Sequence, residues 1–159
     1  MLNIKIICVG KLKEKYWQDA CAEYLKRLGT YCNPNVIEVK EAKLPAGASP
    51  ADEKKVVEAE GNNILEKISK TDYVIALDVK GKEISSEEMA DRLSDISFSH
   101  SSVVYLIGGS LGLSEEVKKR ADARLSFGRI TLPHQLARVV ALEQIYRAFK
   151  INAGETYHK

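Results

Sequence analysis

Glycines and polar residues in the last third of the chain have the types and spacing that could do chemistry. An apolar run over residues 103–107 leads into a glycine turn at Gly108–Gly112, and a second loop over residues 125–132 leads into Pro133-His134. A glycine turn after a buried strand lets backbone groups approach a ligand closely, because no Cβ intervenes. His134 would lie in the first turn of a helix, whose dipole disfavours a protonated imidazole, so its ring could act as a base or hydrogen-bond acceptor. Each feature alone also fits a structural role, but together they predict a ligand site.

Strand and helix signals alternate along the chain and predict the elements that would position these loops. Five apolar runs have the length of strands: residues 2–9, 36–39, 73–77, 103–107 and 125–127. Five segments have helical spacing or helix-start residues such as the Ser85 and Glu88 capping box: 13–28, 50–68, 85–96, 114–121 and 133–150. This βαβα order predicts a single α/β domain over residues 1–159, with a mainly parallel sheet and helices on both faces. Loops at the carboxyl ends of such strands bind ligands, and three candidates fall there: residues 77–81, 108–112 and 127–132.

The bulk composition is that of an ordinary water-soluble globular protein. The 159 residues are 45% hydrophobic and 29% charged. No run approaches the roughly 20 apolar residues of a membrane span, and the first residues do not resemble a signal peptide, so we expect a cytoplasmic protein without membrane contact. The three cysteines and three histidines are scattered, so no metal site is expected. Neither a Walker motif nor a GxGxxG fingerprint is present.

Positive charge gathers near the two ends of the chain, although the net charge is only +2. Such a surface could bind phosphate by neutralising its charge, or could consist of ordinary solvated helix faces. The basic residues concerned are Lys11, Lys13, Lys15, Lys26, Arg27, Arg138, Arg147, Lys150 and Lys159.

Several motifs follow one another along the whole chain: Val9–Lys11, Glu23–Arg27, Leu106–Leu113, Leu125–Gln135, Glu143–Phe149 and the terminal Tyr157–Lys159. In this combination the chain resembles the ribosomal RNA large subunit methyltransferase H family, a minimal branch of the SPOUT or α/β-knot methyltransferases. The resemblance implies a homodimer with a deep trefoil knot in its C-terminal region. It also implies an enzyme that uses S-adenosylmethionine to methylate N3 of a pseudouridine in 23S rRNA on the assembled ribosome. The last helix is apolar on more than one side, which fits such a dimer and fits burial in its own core equally well.

The same resemblance implies roles for individual residues. The expected cofactor contacts come from the three strand-end loops: Leu77, Gly108, Gly109, Phe127, Gly128, Arg129, Ile130, Thr131 and Leu132. The acceptor N3 carries a proton that must leave, which calls for a base or for stabilisation of the developing charge. The catalytic candidates are His134, Tyr157, His158 and Arg147, and in a dimer the tail of one chain would complete the cofactor site of the other. The candidate contacts to rRNA are Lys11, Arg27 and Arg138.

Other functions stay open on sequence grounds. A SPOUT methyltransferase that acts on another RNA, such as tRNA, would share the fold and the cofactor. A ribosome-associated protein without catalysis would keep the basic surface but would not need the glycine loops or the polar tail. A nicotinamide-dependent oxidoreductase fits less well, because the dinucleotide fingerprint is missing.

Overall fold

The computed structural model describes residues 1–159 and arranges them as five strands alternating with five helices. In chain order these are β1 (Asn3–Val9), α1 (Lys15–Leu28), β2 (Asn33–Val39), α2 (Pro50–Leu65), β3 (Tyr73–Glu83), α3 (Ser86–Ser97), β4 (Ser102–Ile107), α4 (Glu115–Arg120), β5 (Ala123–Ser126) and α5 (His134–Asn152). The strands form one parallel sheet in the order β2-β1-β4-β3-β5. Because all strands run the same way, the loops that follow them meet at one edge of the sheet.

Helices cover both faces of this sheet. Along β1, Ile4, Ile6 and Cys8 belong to a core shared with α1, α3 and α5, whereas Ile7 and Val9 belong to a second core shared with α2 and α4. β4 is buried at every residue, as expected for a central strand covered on both sides. The predicted single α/β domain, with its parallel sheet and two helical layers, is therefore confirmed.

Two strands differ most from the bounds that their apolar runs predict. β2 begins three residues earlier, at Asn33, and includes Pro34. Proline is tolerated there because β2 is an edge strand, so a missing N–H need not break the sheet. β3 continues well past Leu77 instead of ending in a loop. Leu77 and Lys82 both pair with Leu125, so the residues between them bulge out of the ladder where the loop was predicted.

Serine side chains cap the starts of three helices. Ser49 and Ser85 each accept a hydrogen bond from the backbone N–H three residues on, and Asp52 and Glu88 complete the two capping boxes. Ser114 caps α4 through the backbone N–H of Val117. The predicted capping box of Ser85 is confirmed, and these caps determine where the helices begin relative to the strands.

α1 carries an exposed aromatic residue in its first turn. The near-helical spacing of Tyr16, Ala20, Tyr24 and Leu28 predicts the helix, and Leu28 is fully buried. Tyr16, however, is 65% exposed, because α1 begins only at Lys15 and its first turn lies beyond the core. None of the helices is long and apolar enough to cross a membrane.

Candidate functional site

A cavity of about 590 Å³ opens at the carboxyl ends of β3, β4 and β5. Residues 77–79 of the β3 bulge line one wall, the Gly108–Gly112 turn after β4 lines a second, and the segment between Leu125 and His134 lines a third. Parallel sheets bind ligands at this edge, and the volume lies within the range of about 300–1,000 Å³ typical of ligand pockets. The three strand-end loops selected from the sequence therefore meet around one cavity.

The turn after β4 depends on glycine at two positions. The N–H of Gly112 donates to the carbonyl of Gly109 at 3.0 Å, and Gly112 has φ +83°, a left-handed conformation that side chains disfavour. A Cβ on Gly108 would lie 2.9 Å from the backbone carbon and oxygen of Gly112. The turn can therefore close only with bare backbone, and this backbone borders the cavity.

The loop after β5 is shaped by a serine and a glycine. The buried Ser126 hydroxyl accepts a hydrogen bond from the N–H of Gly128 at 3.1 Å and donates to the carbonyl of Gly128 at 2.9 Å. Gly128 has φ +123°, and no heavy atom lies within 4 Å of the place where its Cβ would be. The chain thus turns sharply after β5 and leaves open space beside its backbone.

Eight of the nine residues predicted to contact the cofactor line the cavity. The exception is Arg129, whose side chain is 93% exposed and lies 4.0 Å from Glu83 on the outer side of the loop. The Arg129 side chain therefore does not line the cavity, and a cofactor contact through the backbone of this residue stays a prediction. The neighbouring residues 130–132 do line the cavity, although Ile130 is itself 79% exposed near the opening.

Asp78 adds a carboxylate to the cavity wall that the sequence analysis did not select. Its Oδ2 accepts from the Arg124 guanidinium at 2.6 Å, and its Oδ1 accepts from the backbone N–H of Lys80 at 3.1 Å. Burial acts to raise the pKa of this carboxyl, but the hydrogen bonds outweigh burial and hold the pKa below its ordinary value. An acid directly after a buried strand is the sequence signal that could have identified it.

Glu60 of α2 supports the glycine turn from behind. The residue is 4% exposed, and its Oε2 accepts from the N–H of Ala42 at 3.1 Å. A Cβ on Gly109 would come within 3.2 Å of its Oε1. Burial raises the pKa of Glu60, against the lowering effect of the Ala42 hydrogen bond. The sequence carries no signal for this role, because a glutamate within a charged helix resembles a surface residue.

His134 is the catalytic candidate that the structure places in the cavity lining. It is the first residue of α5, as the Pro133-His134 pattern predicts, and its ring makes no hydrogen bond within the chain. The positive end of the helix dipole disfavours a charged imidazole at this position. An imidazole ring without a competing hydrogen bond is thus available at the cavity.

The other three catalytic candidates come together elsewhere, in a tail cluster formed by Glu87, Glu143, Arg147, Tyr157 and His158. Arg147 donates from Nε to Glu143 Oε1 at 3.0 Å, and its guanidinium lies 4.7 Å from the centre of the Tyr157 ring. The Tyr157 hydroxyl donates to the same Glu143 oxygen at 3.2 Å. Burial, followed by the negative charge of Glu143, raises the pKa of Tyr157. Tyr157 is therefore a poor base within this cluster.

Both ring nitrogens of His158 are also engaged. Arg147 is only a donor, so His158 Nδ1 accepts from it, at 3.1 Å. Nε2 then carries the hydrogen and donates to Glu87 at 2.7 Å. This assignment follows from the hydrogen-bond network, and it leaves the His158 ring with no free acceptor.

Within one chain the tail cluster and the cavity are well separated. Arg147 follows His134 by 13 residues on the same helix, which corresponds to about 20 Å at about 1.5 Å per residue. None of Arg147, Tyr157 and His158 lines the cavity. Within a single chain the four catalytic candidates therefore do not share one site, and the prediction that the tail of one chain completes the cofactor site of another stays a prediction.

The three candidate RNA contacts differ in exposure. Arg138 is 2% exposed, donates to Glu38 Oε2 at 2.7 Å and to the carbonyl of Gly10 at 3.3 Å, and has an unpartnered Nε. A buried guanidinium paired in this way cannot reach a phosphate, so the prediction for Arg138 needs correction. Lys11 is exposed, and Arg27 is exposed but hydrogen-bonded to Glu23 at 3.0 Å.

The chain is similar to known methyltransferases. A family model described as "Predicted SPOUT methyltransferase" matches residues 2–158. The chain belongs to the SPOUT methyltransferase family. The probable methylase of Haemophilus influenzae Rd KW20 has a similar structure, with a TM-score of 0.57 and 14% identity over 99% of this chain and 71% of that one. At this identity the likeness shows the fold alone.

Curated relatives of this SPOUT chain carry one name, ribosomal RNA large subunit methyltransferase H. The proteins from Ligilactobacillus salivarius strain UCC118, Carboxydothermus hydrogenoformans and Lactobacillus acidophilus are 57%, 55% and 53% identical to this chain, each over 159 residues. Each alignment covers 99% of this chain and all of the relative. The family recognised from the sequence motifs is therefore confirmed.

The SPOUT chain contains no group of three or more His, Cys, Asp or Glu side chains that could hold a metal ion. The buried thiols are far from reactive, since burial raises the pKa of Cys8 and of Cys32 to about 12. Besides the glycine backbone, the polar residues that line the cavity are Asp78, Ser110, Ser126, Thr131 and His134.

Proposed function

We propose that this protein transfers a methyl group from S-adenosylmethionine to N3 of a pseudouridine in 23S rRNA, and that it acts on the assembled ribosome in the cytoplasm. The observation that carries the proposal is the glycine-lined cavity at the carboxyl ends of β3, β4 and β5 in a SPOUT methyltransferase chain. The names of relatives that share more than half of their residues with this chain support the large-subunit rRNA as substrate.

The cavity residues fit S-adenosylmethionine. Leu77, Ile107 and Leu132 supply apolar walls suited to the adenine ring, and the bare backbone at Gly108 and Gly128 can hydrogen-bond its polar groups. When bound, the cofactor supplies a methyl group on a positively charged sulfur, an electrophile that needs no metal. The protein's contribution is then to hold donor and acceptor in line and to exclude water.

His134 is the residue that we assign to the acceptor proton. N3 of the base is an imide nitrogen, and its proton must leave before or during attack. His134 lines the cavity and makes no competing hydrogen bond, whereas Tyr157 donates to Glu143 and both nitrogens of His158 are engaged. The free imidazole nitrogen can therefore take the proton, while Arg147 would stabilise the negative charge that develops on the base.

This assignment requires a second copy of the chain, because His134 and Arg147 lie about 20 Å apart on one helix. We propose a homodimer in which the tail cluster of one copy completes the cavity of the other. A two-fold pairing that runs the two α5 helices antiparallel would bring the last turns of one beside the first turns of its neighbour. The half-buried side chains of Leu136, Val139 and Val140 give α5 apolar surface for such a contact.

We further propose that residues 1–159 form one SPOUT methyltransferase domain whose C-terminal region is a deep trefoil knot. The strand order supports this. β5 lies at the far edge beside β3, yet the chain returns from it across the carboxyl ends of β3 and β4 to form α5 against α1 and α3. Elementary connection rules disfavour knots, so the family resemblance remains the stronger argument.

The substrate side of the proposal rests on exposed basic residues. Lys11 and Arg27 are the candidate phosphate contacts that stay at the surface, and Lys13 is exposed beside Lys11. A chain of 159 residues offers little surface for reading a folded RNA, which supports recognition of ribosome shape rather than of base sequence.

Methyl transfer from labelled S-adenosylmethionine tests the proposal directly. Whole ribosomes, isolated subunits and naked rRNA that lack the modification, together with tRNA, would each be incubated with the protein, and the product nucleoside would be identified by mass spectrometry. We expect N3-methylpseudouridine on assembled ribosomes. Label on tRNA alone would transfer the activity to another RNA. Absence of label, with no cofactor binding in the presence of ribosomes, would favour a non-catalytic ribosome-associated protein.

A further inference from the structure

Tyr16 is a large aromatic side chain left in solvent at the start of α1. It is 65% exposed, and its ring leans on the half-buried Trp17 with 5.1 Å between ring centres. The Trp17 ring thus supports Tyr16 from one side and leaves much of its surface open. An aromatic face presented in this way is suited to stacking on another flat ring.

Groups that attract phosphate lie close to Tyr16 along the chain. Lys11 and Lys13 are exposed and form no ion pair, whereas Lys15 is paired with Asp19 at 3.0 Å. The side chain of Glu14 does not cap α1, and the backbone N–H groups of residues 15–17 have no acceptor within the chain. Two free ammonium groups and an uncapped helix start thus lie next to an exposed aromatic ring.

This surface lies on the same edge of the sheet as the cavity. Gly10 ends β1 with φ +86°, and β1 pairs directly with β4, whose end leads into the glycine turn. The neighbouring Val9 comes within 3.3 Å of where a Cβ of Gly109 would be. An RNA strand that reaches the cavity would therefore pass close to the loop that carries Lys11 and Lys13.

The loop over residues 10–14 is fixed by hydrogen bonds rather than hanging free. Glu38 Oε2 accepts from both Arg138 and the backbone N–H of Leu12, at 2.7 Å and 3.2 Å. Gln18 donates to the carbonyl of Leu12 at 2.8 Å, and Arg138 also holds the carbonyl of Gly10. Because Arg138 lies one turn beyond His134 on α5, the loop and the cavity are parts of one rigid frame.

From this arrangement we propose that Lys11, Lys13 and Tyr16 form a binding surface for an unpaired segment of RNA. Tyr16 stacks on one exposed base, and the lysines and the start of α1 contact the adjoining phosphates. Bases are free to stack only where a strand is unpaired, so the surface selects loops and single strands over duplexes. The inference rests on the proposed action on rRNA and adds to it the kind of RNA segment that is held.

Binding of the full-length protein to a labelled single-stranded oligouridine and to a blunt RNA duplex of equal length tests the inference. Stacking of one base is worth a loss of about 5- to 150-fold when the aromatic ring is removed, so Tyr16→Ala should weaken single-strand binding by that factor. The matched control Tyr16→Phe keeps the ring and should bind like the parent protein. Duplex binding should be the same for all three proteins. Lys11→Ala and Lys13→Ala should each reduce the salt dependence of single-strand binding by about 0.7 in the log–log slope.

Several results would overturn the inference. One is a parent protein that does not prefer the single strand to the duplex, and another is a Tyr16→Ala variant that binds the single strand normally. A third is a Tyr16→Ala variant whose only defect is dissociation of a dimer, because that result would assign the ring to a protein contact. Assays on ribosomes separate this inference from the proposed activity. If Tyr16→Ala raises KM for ribosomes with unchanged cofactor affinity, both stand; if the parent protein transfers no methyl group but oligouridine binding still depends on Tyr16, only the activity fails.

Discussion

The separation of the cavity from the tail cluster makes a quantitative prediction for mixed dimers. Gly112→Val places a β-branched residue at φ +83°, which costs about 1–3 kcal/mol and should distort the turn that lines the cavity. Arg147→Met removes the charge from the tail cluster while keeping most of the side-chain stem. Each change alone should abolish methyl transfer, because each removes one half of the proposed composite site.

Co-expression of the two variants with different affinity tags should restore part of the activity. Random pairing gives one half mixed dimers, and each mixed dimer has one site with both defects and one site with neither. About one quarter of all sites should then be intact, so the unfractionated mixture should show about one quarter of the parent activity per chain. Purified mixed dimers should show about one half.

The control uses two changes on the same side of the composite site. Gly112→Val co-expressed with Gly108→Val leaves a distorted cavity at every site, because a Cβ on Gly108 would lie 2.9 Å from the backbone of Gly112, so no activity should return. The assay is initial-rate methyl transfer to ribosomes at saturating cofactor, with the dimer content of each sample measured by light scattering. Failure of the Gly112→Val and Arg147→Met mixture to exceed its parent variants, despite proven mixed dimers, would falsify the composite site.

Three further predictions concern charged residues at the two ends of the strands: Arg138 and Glu60 near the carboxyl ends, and Asp72 just before β3. Arg138→Met should lower the free energy of unfolding by about 3 kcal/mol, as measured by denaturant unfolding. This is the low end for a broken buried ion pair, because Glu38 is partly exposed. Adding Glu38→Gln to the Arg138→Met variant should recover part of the loss. Burial acts to raise the pKa of Asp72, but hydrogen bonds from its neighbours, including Lys5, outweigh burial and lower the pKa below 3.8. The ionised carboxylate therefore stabilises the folded protein above pH 3.8, and this stabilisation is lost as the pH falls through the lowered pKa. Asp72→Asn should therefore cost about 2 kcal/mol near neutral pH and progressively less in acid, and a cost independent of pH would contradict this. The pKa of Glu60 is raised by burial, so its contribution is most favourable below 4.5 and declines as the pH rises; Glu60→Gln should gain stability relative to the parent between acid and neutral pH.

The position of the cavity could be predicted from the sequence, because each of its walls follows an apolar run that is typical of a strand. The apolar runs that end at Leu77 and Ile107 predict buried parallel strands, and a parallel sheet has one edge at which the following loops must meet. The glycines after β4 and β5 then identify where the backbone comes closest to a ligand. Local pattern and general topology were sufficient for this part of the site, without knowledge of the strand order.

The contacts that the sequence did not reveal depend on distances across the fold. Arg138 is one of several basic residues until α5 packs over the end of β1, which buries its guanidinium against Glu38. Tyr16 shares its helical row with Leu28, and only the late start of α1 shows that its ring stays in solvent. In both cases the exposure of a side chain depends on which other element packs over it. The residue spacing within one helix does not predict that packing.

The rigid geometry of α5 is the strongest physical reason for a two-chain site. A continuous helix has a fixed rise per residue, so no side-chain movement can bring Arg147 to the cavity that begins at His134 on the same chain. A hinge within α5 would have to break its backbone hydrogen bonds, and α5 contains neither proline nor glycine between these two residues. A second copy related by a two-fold axis needs no such distortion, because antiparallel helices exchange their ends. The same helix that separates the two groups within one chain therefore can join them between two chains.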